Sequence, residues 1–265
     1  MITTQLTLLE LEKFAEIAYQ QTGIRLTANK LELMTNRLGR RLHDLNTDSF
    51  KKYLKYLCEN MDVEMNYFIQ AITTNETYFF RYPLHFFLLS KEIFPAMKQN
   101  EITIWSAACS SGEEPYSIAI VCRERLSNFS SRKVNIFASD IDLGILKKAN
   151  DGLYNSYSLR QVRSELMPKY FTPVKNDYFE IVPSLRNMVA FGRHNLKELF
   201  PKGKVDILFC RNVLIYFDNE SKQIVLENLV RTLNPGGYLF LGESEIIPDI
   251  PNMVRLKSSV AQKTA

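Results

Sequence analysis

Apolar positions in the first seventy residues recur with the period of a helix. Leu11, Phe14 and Ala18 share one face, Thr7 and Glu10 form a capping box before them, and Gly23 suits the end of that helix. Three further apolar stripes follow: Leu31, Met34, Leu38, Leu42 and Leu45; then Phe50, Tyr53, Leu54 and Leu57; then Met65, Phe68, Ile69 and Ile72. The third helix is expected to begin near Thr47 or Asp48 and the fourth near Asp62. The pattern predicts a small all-α N-terminal domain over residues 1–72.

The helical period ends after Thr73. The segment TTNETYFFRYP is aromatic and rich in Asn and Thr, and Tyr82 followed by Pro83 disfavours a helix at that point. We therefore expect residues 73–90 to be a linker between two domains.

Apolar strands and amphipathic helices alternate over residues 91–265. The predicted strands are 102–108, 134–140, 205–212 and 238–244, and the predicted helices are 115–126, 145–149 and 221–233. This order predicts an α/β domain with a doubly wound parallel sheet. Residues 163–194 interrupt it with three short strand-like runs, KYFTPV, DYFEIV and MVAFGRH, which predict a small antiparallel β-subdomain inserted in the sheet domain.

Polar residues stand where the predicted strands end, which is where open parallel sheets bind their ligands. The first strand leads into small residues followed by Glu113 and Glu114; Asp140 ends the second strand, and Arg211 and Asn212 end the third. Glu113 and Glu114 could simply be acidic residues that the dipole of the next helix favours in its first turn, and Asp140 could simply cap a turn. Taken together, the clusters predict a nucleoside-bearing cofactor, because an acid at the position of Asp140 commonly accepts ribose hydroxyls.

Composition and charge narrow the class of protein. The 265 residues are 46% hydrophobic, with 33 basic and 29 acidic side chains, and a net charge of +4 disfavours a nucleic-acid binder. Four cysteines without a CxxC pair and only three histidines disfavour a zinc site, so we expect no metal. The start lacks the basic leader of a signal peptide, and no apolar run reaches the roughly 20 residues of a membrane span. We therefore expect a cytoplasmic enzyme with reduced thiols. A monomer is our separate expectation.

A basic flank runs beside the apolar stripe of the second helix. Lys30, Arg37 and Arg41 fall within about 40° of one another on a helical projection. The flank could be an ordinary solvated face or a docking surface that steers an acidic partner.

Six sequence words, in order along most of the chain, resemble the chemotaxis receptor methyltransferases of the CheR family. They are NETYFFR (75–81), IWSAACSSGEEPYSIAI (104–120), FASDID (137–142), HNL (194–196), FCRNVLIYFD (209–218) and LNPGGYLFLGESE (233–245). The resemblance implies a helical domain followed by a Rossmann-like class I methyltransferase domain with a three-stranded insertion. It also implies methyl transfer from S-adenosylmethionine to glutamate side chains on the cytoplasmic helices of chemoreceptors, leaving S-adenosylhomocysteine.

The resemblance also assigns roles to individual residues. It implies cofactor contacts at Asn75, Thr77, Arg81, Glu114, Asp140, Asn195, Leu196, Arg211 and Asn212. It places Arg81 and Tyr216 at the methyl-transfer centre, and it makes the flank of Lys30, Arg37 and Arg41 a receptor-docking surface. From local residues alone, Asn75, Thr77 and Arg81 would pass for turn and surface residues, and Tyr216 for a core aromatic.

The sequence also bears on a receptor tether and on two alternative functions. Some family members hold a receptor's C-terminal pentapeptide on the inserted subdomain, with a longer, glycine-containing loop; here TPVKNDY (172–178) is short and has no glycine, so we expect independence from such a tether. The chain could also be a regulatory module that binds the cofactor without catalysis, although the complete set of site residues argues against it. A nicotinamide dehydrogenase is disfavoured because GxGxxG is absent.

Overall fold

A computed structural model describes residues 5–126 and 131–264. Its first part contains the four predicted helices: α1 (Leu8–Thr22), α2 (Leu31–Asp44), α3 (Phe50–Glu59) and α4 (Met61–Ile72). The capping box of Thr7 and Glu10 is formed, and Gly23 ends α1 with a left-handed φ of 78°. Helix α3 begins later than expected, because the hydroxyl of Ser49, rather than Thr47 or Asp48, accepts the N–H of Lys52 and caps it.

The segment after the bundle is only partly a linker. Irregular backbone covers 73–82, but helix α5 (Pro83–Leu88) starts directly at the proline and continues through a π-helical turn (Leu89–Ile93) into α6 (Phe94–Ala96). The expectation that Tyr82 and Pro83 oppose a helix is wrong because the proline occupies a first-turn position, where its missing N–H has no intrahelical partner to lose.

The remaining chain builds one seven-stranded sheet and one three-stranded sheet. The strands are β1 (Glu101–Ala107), β2 (Lys133–Asp140), β3 (Leu153–Asn155), β4 (Phe171–Pro173), β5 (Tyr178–Ile181), β6 (Val189–Arg193), β7 (Val205–Cys210), β8 (Leu233–Leu241), β9 (Met253–Lys257) and β10 (Val260–Lys263). The order in the large sheet is β6-β2-β1-β7-β8-β10-β9. Its first five strands are parallel: β1, β2, β7 and β8 are the four predicted ones, and β6 was not expected in this sheet. Strands β10 and β9 form an antiparallel C-terminal hairpin that the sequence analysis did not anticipate.

Helices α7 (Glu113–Arg125), α8 (Leu143–Asp151) and α12 (Asn219–Thr232) pack on the parallel sheet. The short helices α9 (Ser156–Leu159), α10 (Met167–Tyr170) and α11 (Pro183–Arg186) lie around the insertion and against α7. Residues 113–122 of α7 are all buried, as expected for a helix wedged between the sheet and the insertion. The parallel register sets Ala107 beside Ser139 and Cys210, so the loops after β1, β2 and β7 share one edge of the sheet.

The insertion differs from its predicted form. Its sheet has the order β3-β5-β4, and β3 lies before the predicted range 163–194. The third predicted strand, MVAFGRH, becomes β6 and pairs in parallel with β2 at the edge of the large sheet. Local alternation identifies a strand but not its partner, and three-residue β3 is too short to leave a pattern.

Two apolar clusters cover the two faces of the large sheet. One contains α5, α7 and much of the insertion. The other joins Phe14 and Phe68 of the bundle to Trp105 and Leu208 of the sheet in a continuous core. The helical bundle therefore packs directly on the sheet. Among the described residues, no helix is long and apolar enough to cross a membrane.

Candidate active site

A cleft opens where the helical bundle meets the carboxyl edge of the sheet. It encloses about 940 Å³ of empty space, including its mouth. All ten side chains expected at the cofactor and methyl-transfer site line it: Asn75, Thr77, Arg81, Glu114, Asp140, Asn195, Leu196, Arg211, Asn212 and Tyr216. The fold thus gathers residues from five separate sequence words at one place.

The loop after β1 forms one wall with backbone rather than side chains. Ala108 and Ser110 have left-handed φ values of 58° and 51°, and Gly112 reaches 94° before α7 begins. A β-carbon on Gly112 would lie 2.9 Å from the hydroxyl of Tyr154. Strained backbone of this kind clusters at functional sites, and Ala108 and Ser110 both line the cleft, whereas Gly112 lies against Tyr154 and Ala149.

Asp140 ends β2 and points its carboxylate toward this loop. Its Oδ2 accepts the N–H of Ser110 at 2.9 Å, and its Oδ1 accepts the N–H of Asp142 at 3.1 Å. Burial raises the pKa of Asp140 to about 6, against the lowering effect of these backbone hydrogen bonds. Each oxygen retains a lone pair, so the carboxylate can accept the two hydroxyls of a ribose.

Asp142 ties the linker to the sheet domain. Its Oδ1 accepts the N–H groups of Gly144 and Ile145 and so caps α8, at 2.8 and 3.1 Å. Its Oδ2 accepts the Thr73 hydroxyl at 3.1 Å and the Asn75 amide at 3.0 Å. The Asn75 side chain therefore acts partly within the protein, holding the linker at the cleft.

Glu114 and Arg211 form a buried ion pair at the back of the cleft. Arg211 Nε lies 2.6 Å from Glu114 Oε2, and Ser106 donates to the other oxygen at 2.7 Å. Arg211 Nη1 also donates to the backbone carbonyl of Arg81 at 2.7 Å. The pair neutralises two buried charges and fixes the segment that carries Arg81.

His85, which sequence reasoning missed, extends this network. Its Nδ1 lies 3.2 Å from Arg211 Nη1, and because arginine only donates, Nδ1 accepts and Nε2 carries the proton donated to Ser259 at 3.0 Å. Burial, with Arg211 adding to it, lowers the pKa of His85 to about 3, so the ring is neutral. A histidine amid aromatic residues gives no sequence signal of this role.

Arg81 and Tyr216 keep polar groups available to the cleft. Arg81 Nη1 donates to the Glu76 carbonyl at 2.8 Å, and its guanidinium lies 5.3 Å from the Tyr82 ring centroid. Tyr216 is half-buried, its carbonyl accepts the N–H of Arg25 at 3.0 Å, and no described residue takes up its hydroxyl. Four of the five guanidinium N–H groups of Arg81 thus remain for an anion.

The adenine-side candidates lie near the end of α1. Asn195 donates its amide to the carbonyl of Gln21 at 3.0 Å, which links the bundle to the sheet domain, and Leu196 is buried beside it. Thr77 lines the cleft from the linker. An apolar side chain flanked by backbone polar groups suits a flat heteroaromatic ring.

The basic flank of α2 makes more internal contacts than a docking surface needs. Arg37 donates to the Thr73 carbonyl at 2.6 Å, and Arg41 contacts the fully buried Glu64 at 2.8 and 2.6 Å. Lys30 lies 5.1 Å from the Tyr216 ring centroid. The exposed cation of this face is Arg40, which the helical projection did not single out.

Fold and site together define the class of protein. A doubly wound sheet with an acid closing β2, and a small-residue loop instead of a glycine-rich phosphate cradle, are features of S-adenosylmethionine-dependent methyltransferases. Among the described residues, no group of three or more His, Cys, Asp or Glu side chains could hold a metal ion.

The chain belongs to the CheR methyltransferase family. The model of the family's all-alpha domain matches residues 9–73, and the model of its SAM-binding domain matches residues 75–262. The chain is 36% identical to chemotaxis protein methyltransferase 2 of Vibrio cholerae, over 92% of this chain and 88% of that protein. It is 39% identical to the chemotaxis protein methyltransferase of Salmonella typhimurium, over 92% and 84%, and 38% identical to that of Escherichia coli, over 88% and 82%.

Proposed function

We propose that this protein methylates glutamate side chains of chemoreceptors, using S-adenosylmethionine and releasing S-adenosylhomocysteine. The observation that carries the proposal is the cleft itself. In it, Arg81 and Tyr216 have hydrogen-bond donors that no described residue uses, and Asp140 lines the same cleft. The printed names of its relatives, chemotaxis protein methyltransferases, support the same substrate class.

The residues present fit this cofactor. Asp140 offers carboxylate oxygens to ribose hydroxyls, Leu196 and Asn195 suit the adenine, and Glu114 and Arg211 neutralise each other at the back of the cleft. Bound there, the cofactor supplies a methyl group that its sulfonium makes strongly electrophilic.

The acceptor needs orientation rather than activation. A glutamate carboxyl has an ordinary pKa near 4.3, so it is already anionic at pH 7 and no general base is required. Arg81 can donate to one acceptor oxygen, a charge-assisted bond of about 1.5–3 kcal/mol. Tyr216 can donate to the same group, and together they hold the other oxygen toward the methyl donor and exclude water. A tighter grip would stabilise the ground state and slow transfer.

We propose that the α2 face with Lys30, Arg37 and Arg41 steers the acidic helices of the receptor. Carbonyl contacts leave the charge of Arg37 in place, and exposed Arg40 adds to it. Such a surface acts mainly on the association rate.

Arg40→Glu should slow association with a receptor fragment at low salt, measured by stopped flow, and the difference should shrink at high salt. Salt-independent rates would contradict docking here.

We further propose that activity does not depend on a receptor C-terminal pentapeptide. The connection between β4 and β5 is a tight turn in which Asn176 and Asp177 have φ of 60° and 59°, closed by a bond of Val174 N–H to the Tyr178 carbonyl at 2.8 Å. Calorimetry with such a pentapeptide should show no binding; micromolar affinity would refute the proposal.

Mass spectrometry tests the main proposal. Incubation of the protein with S-adenosylmethionine and receptor cytoplasmic fragments should add 14 Da per modified glutamate (one CH₂), and mild base should remove it as an ester. Binding of S-adenosylhomocysteine without modification of any fragment would instead favour a regulatory cofactor-binding module.

A further inference from the structure

A carboxylate behind the cleft holds together the loops that follow two neighbouring strands. Glu245 Oε2 accepts the N–H of Asn212 at 2.8 Å and the N–H of Gly242 at 2.6 Å. Asn212 follows β7 and Gly242 follows β8, and these strands are paired in parallel up to Cys210 and Leu241. One oxygen therefore bridges the carboxyl ends of both strands.

The bridge coincides with a strained residue of the cleft. Asn212 has a left-handed φ of 59°, its side chain lines the cleft, and its amide donates to the Tyr82 hydroxyl at 3.3 Å. The N–H of Asn212 faces away from the cleft onto Glu245. A carboxylate that takes this N–H favours the conformation that turns the Asn212 side chain toward the ligand.

A side chain at position 242 would collide with the Glu245 bridge. A β-carbon there would lie 2.6 Å from Glu245 Oε2 and 2.9 Å from the Asn212 nitrogen. The backbone at position 242 can therefore approach the Glu245 carboxylate and the Asn212 nitrogen only because residue 242 is a glycine.

The second carboxylate oxygen of Glu245 is buried without a hydrogen-bond partner in the described residues, which is unfavourable for a carboxylate. Glu245 is 7% exposed, and the unpaired oxygen is Oε1. Native structures rarely leave a buried carboxylate oxygen unpaired, and where they do the group asks for a functional explanation.

We propose that Glu245 is a positioning residue for the methyltransferase site, acting through the Asn212 backbone; its kinetic consequence rests on the proposed function. Glu245 is not among the residues that line the cleft. It sets the left-handed turn that directs Asn212 and the following segment to Tyr216 into the cleft.

Three variants and one matched control test this. Glu245→Ala removes the bridge, Gly242→Ala displaces it, and Glu245→Gln retains one oxygen acceptor. Asp206→Ala is the control, because Asp206 Oδ2 also accepts a strand N–H, that of Thr103 at 2.8 Å, but at the opposite end of β7. The readouts are S-adenosylhomocysteine affinity by calorimetry, kcat for methylation, melting temperature, and the amide ¹⁵N and ¹H shifts of residues 212 and 242.

Glu245→Ala and Gly242→Ala should each weaken S-adenosylhomocysteine binding and lower kcat by about 10- to 100-fold, the range expected when site groups are misplaced. In the double variant that carries both Glu245→Ala and Gly242→Ala, the losses of affinity and of kcat should not add, because both changes break the same contact. Glu245→Gln should recover most of the affinity. The amide ¹H signal of residue 212 should move upfield when the carboxylate is lost. Asp206→Ala should lower the melting temperature alone.

A structural role only would show as a lower melting temperature with affinity and kcat within twofold of the unaltered protein at 25 °C, and this would overturn the proposal. So would additive losses in the combined variant. If Glu245→Ala does not fold, Gly242→Ala and Glu245→Gln still decide. The affinity and shift measurements need no receptor, so a protein that binds the product but methylates no receptor would refute the proposed function and leave this test intact.

Discussion

At the scale of single residues, the proposed ribose contact of Asp140 should couple cofactor affinity to pH. Burial raises its pKa to about 6, and only the ionised carboxylate can accept both ribose hydroxyls. A bound ribose favours the ionised form, so protonation competes with binding. Affinity should therefore be full above this pKa and decline below it.

We expect the S-adenosylhomocysteine dissociation constant to be flat from pH 7 to 8. It should rise by up to about tenfold per pH unit below pH 6, as one linked proton requires. Asp140→Asn should bind weakly at pH 7 and show no such slope. Calorimetry between pH 5 and 8 measures both, and an unchanged constant at pH 5 would contradict the role of Asp140.

Arg81 and Tyr216 should affect turnover more than cofactor binding. Arg81→Ala removes the charge that we propose orients the acceptor, and Tyr216→Phe removes one hydroxyl that no described residue holds. Both should lower kcat, Arg81→Ala by about 100-fold and Tyr216→Phe by about 10-fold, with product affinity changed by only a few-fold. Radiolabelled methyl transfer and calorimetry give the two readouts. Near-normal rates for both would remove them from the mechanism.

At the scale of elements, the Arg41 side chain holds α2 against α4. It forms two bonds to Glu64, whose carboxylate is fully buried and also accepts the Tyr53 hydroxyl at 2.9 Å. Arg40 is the adjacent residue along α2 and is exposed, because successive side chains of a helix point about 100° apart. A basic stripe on a helical projection therefore mixes two roles that only the packing separates.

Arg41→Ala should lower the free energy of unfolding by about 3–5 kcal/mol, because it leaves the Glu64 charge buried and unpaired. Arg40→Ala, the matched exposed control, should change it by no more than about 0.5 kcal/mol. Urea unfolding measures both. Equal effects of the two changes would show that the pair with Glu64 does not stabilise the bundle.

The elements also show where sequence patterns stop being informative. The four helices of the bundle were recognisable because each buries one face with a regular period, and strands β1, β2, β7 and β8 because each is a short apolar run. The C-terminal hairpin was not, since β9 is exposed along nearly its whole length. The strand at 189–193 was recognised but placed in the wrong sheet, because its alternation is the same beside β2 as it would be beside β5.

At the scale of the whole molecule, the bundle and the sheet share one core. Phe14 and Phe68 belong to the same buried cluster as Trp105 and Leu208, and Ile24 forms an antiparallel bridge with Phe217 next to Tyr216. The cleft has walls from both parts. The helical bundle therefore forms part of the wall of the cleft.

This continuity predicts a single cooperative unfolding transition. Calorimetry should give one peak whose van't Hoff and calorimetric enthalpies agree. S-adenosylhomocysteine should raise its midpoint, because the ligand binds only where both parts are folded. Two resolved peaks, with only the later one shifted by the ligand, would contradict a shared core.

The sequence by itself determined that Asp140, Arg211 and Asn212 meet at the cleft, since they stand at strand ends that a parallel sheet must bring to one edge. The residues of the linker and Tyr216 were expected there only from the family resemblance. Only the tertiary structure decided what each side chain is bonded to. The amide of Asn75 turns to Asp142, Arg41 to Glu64, and Glu245 to the Asn212 backbone. The physical reason is range: periodicity and chain direction are local and set faces and ends, whereas a hydrogen bond between residues 33 or 67 positions apart depends on how the layers pack.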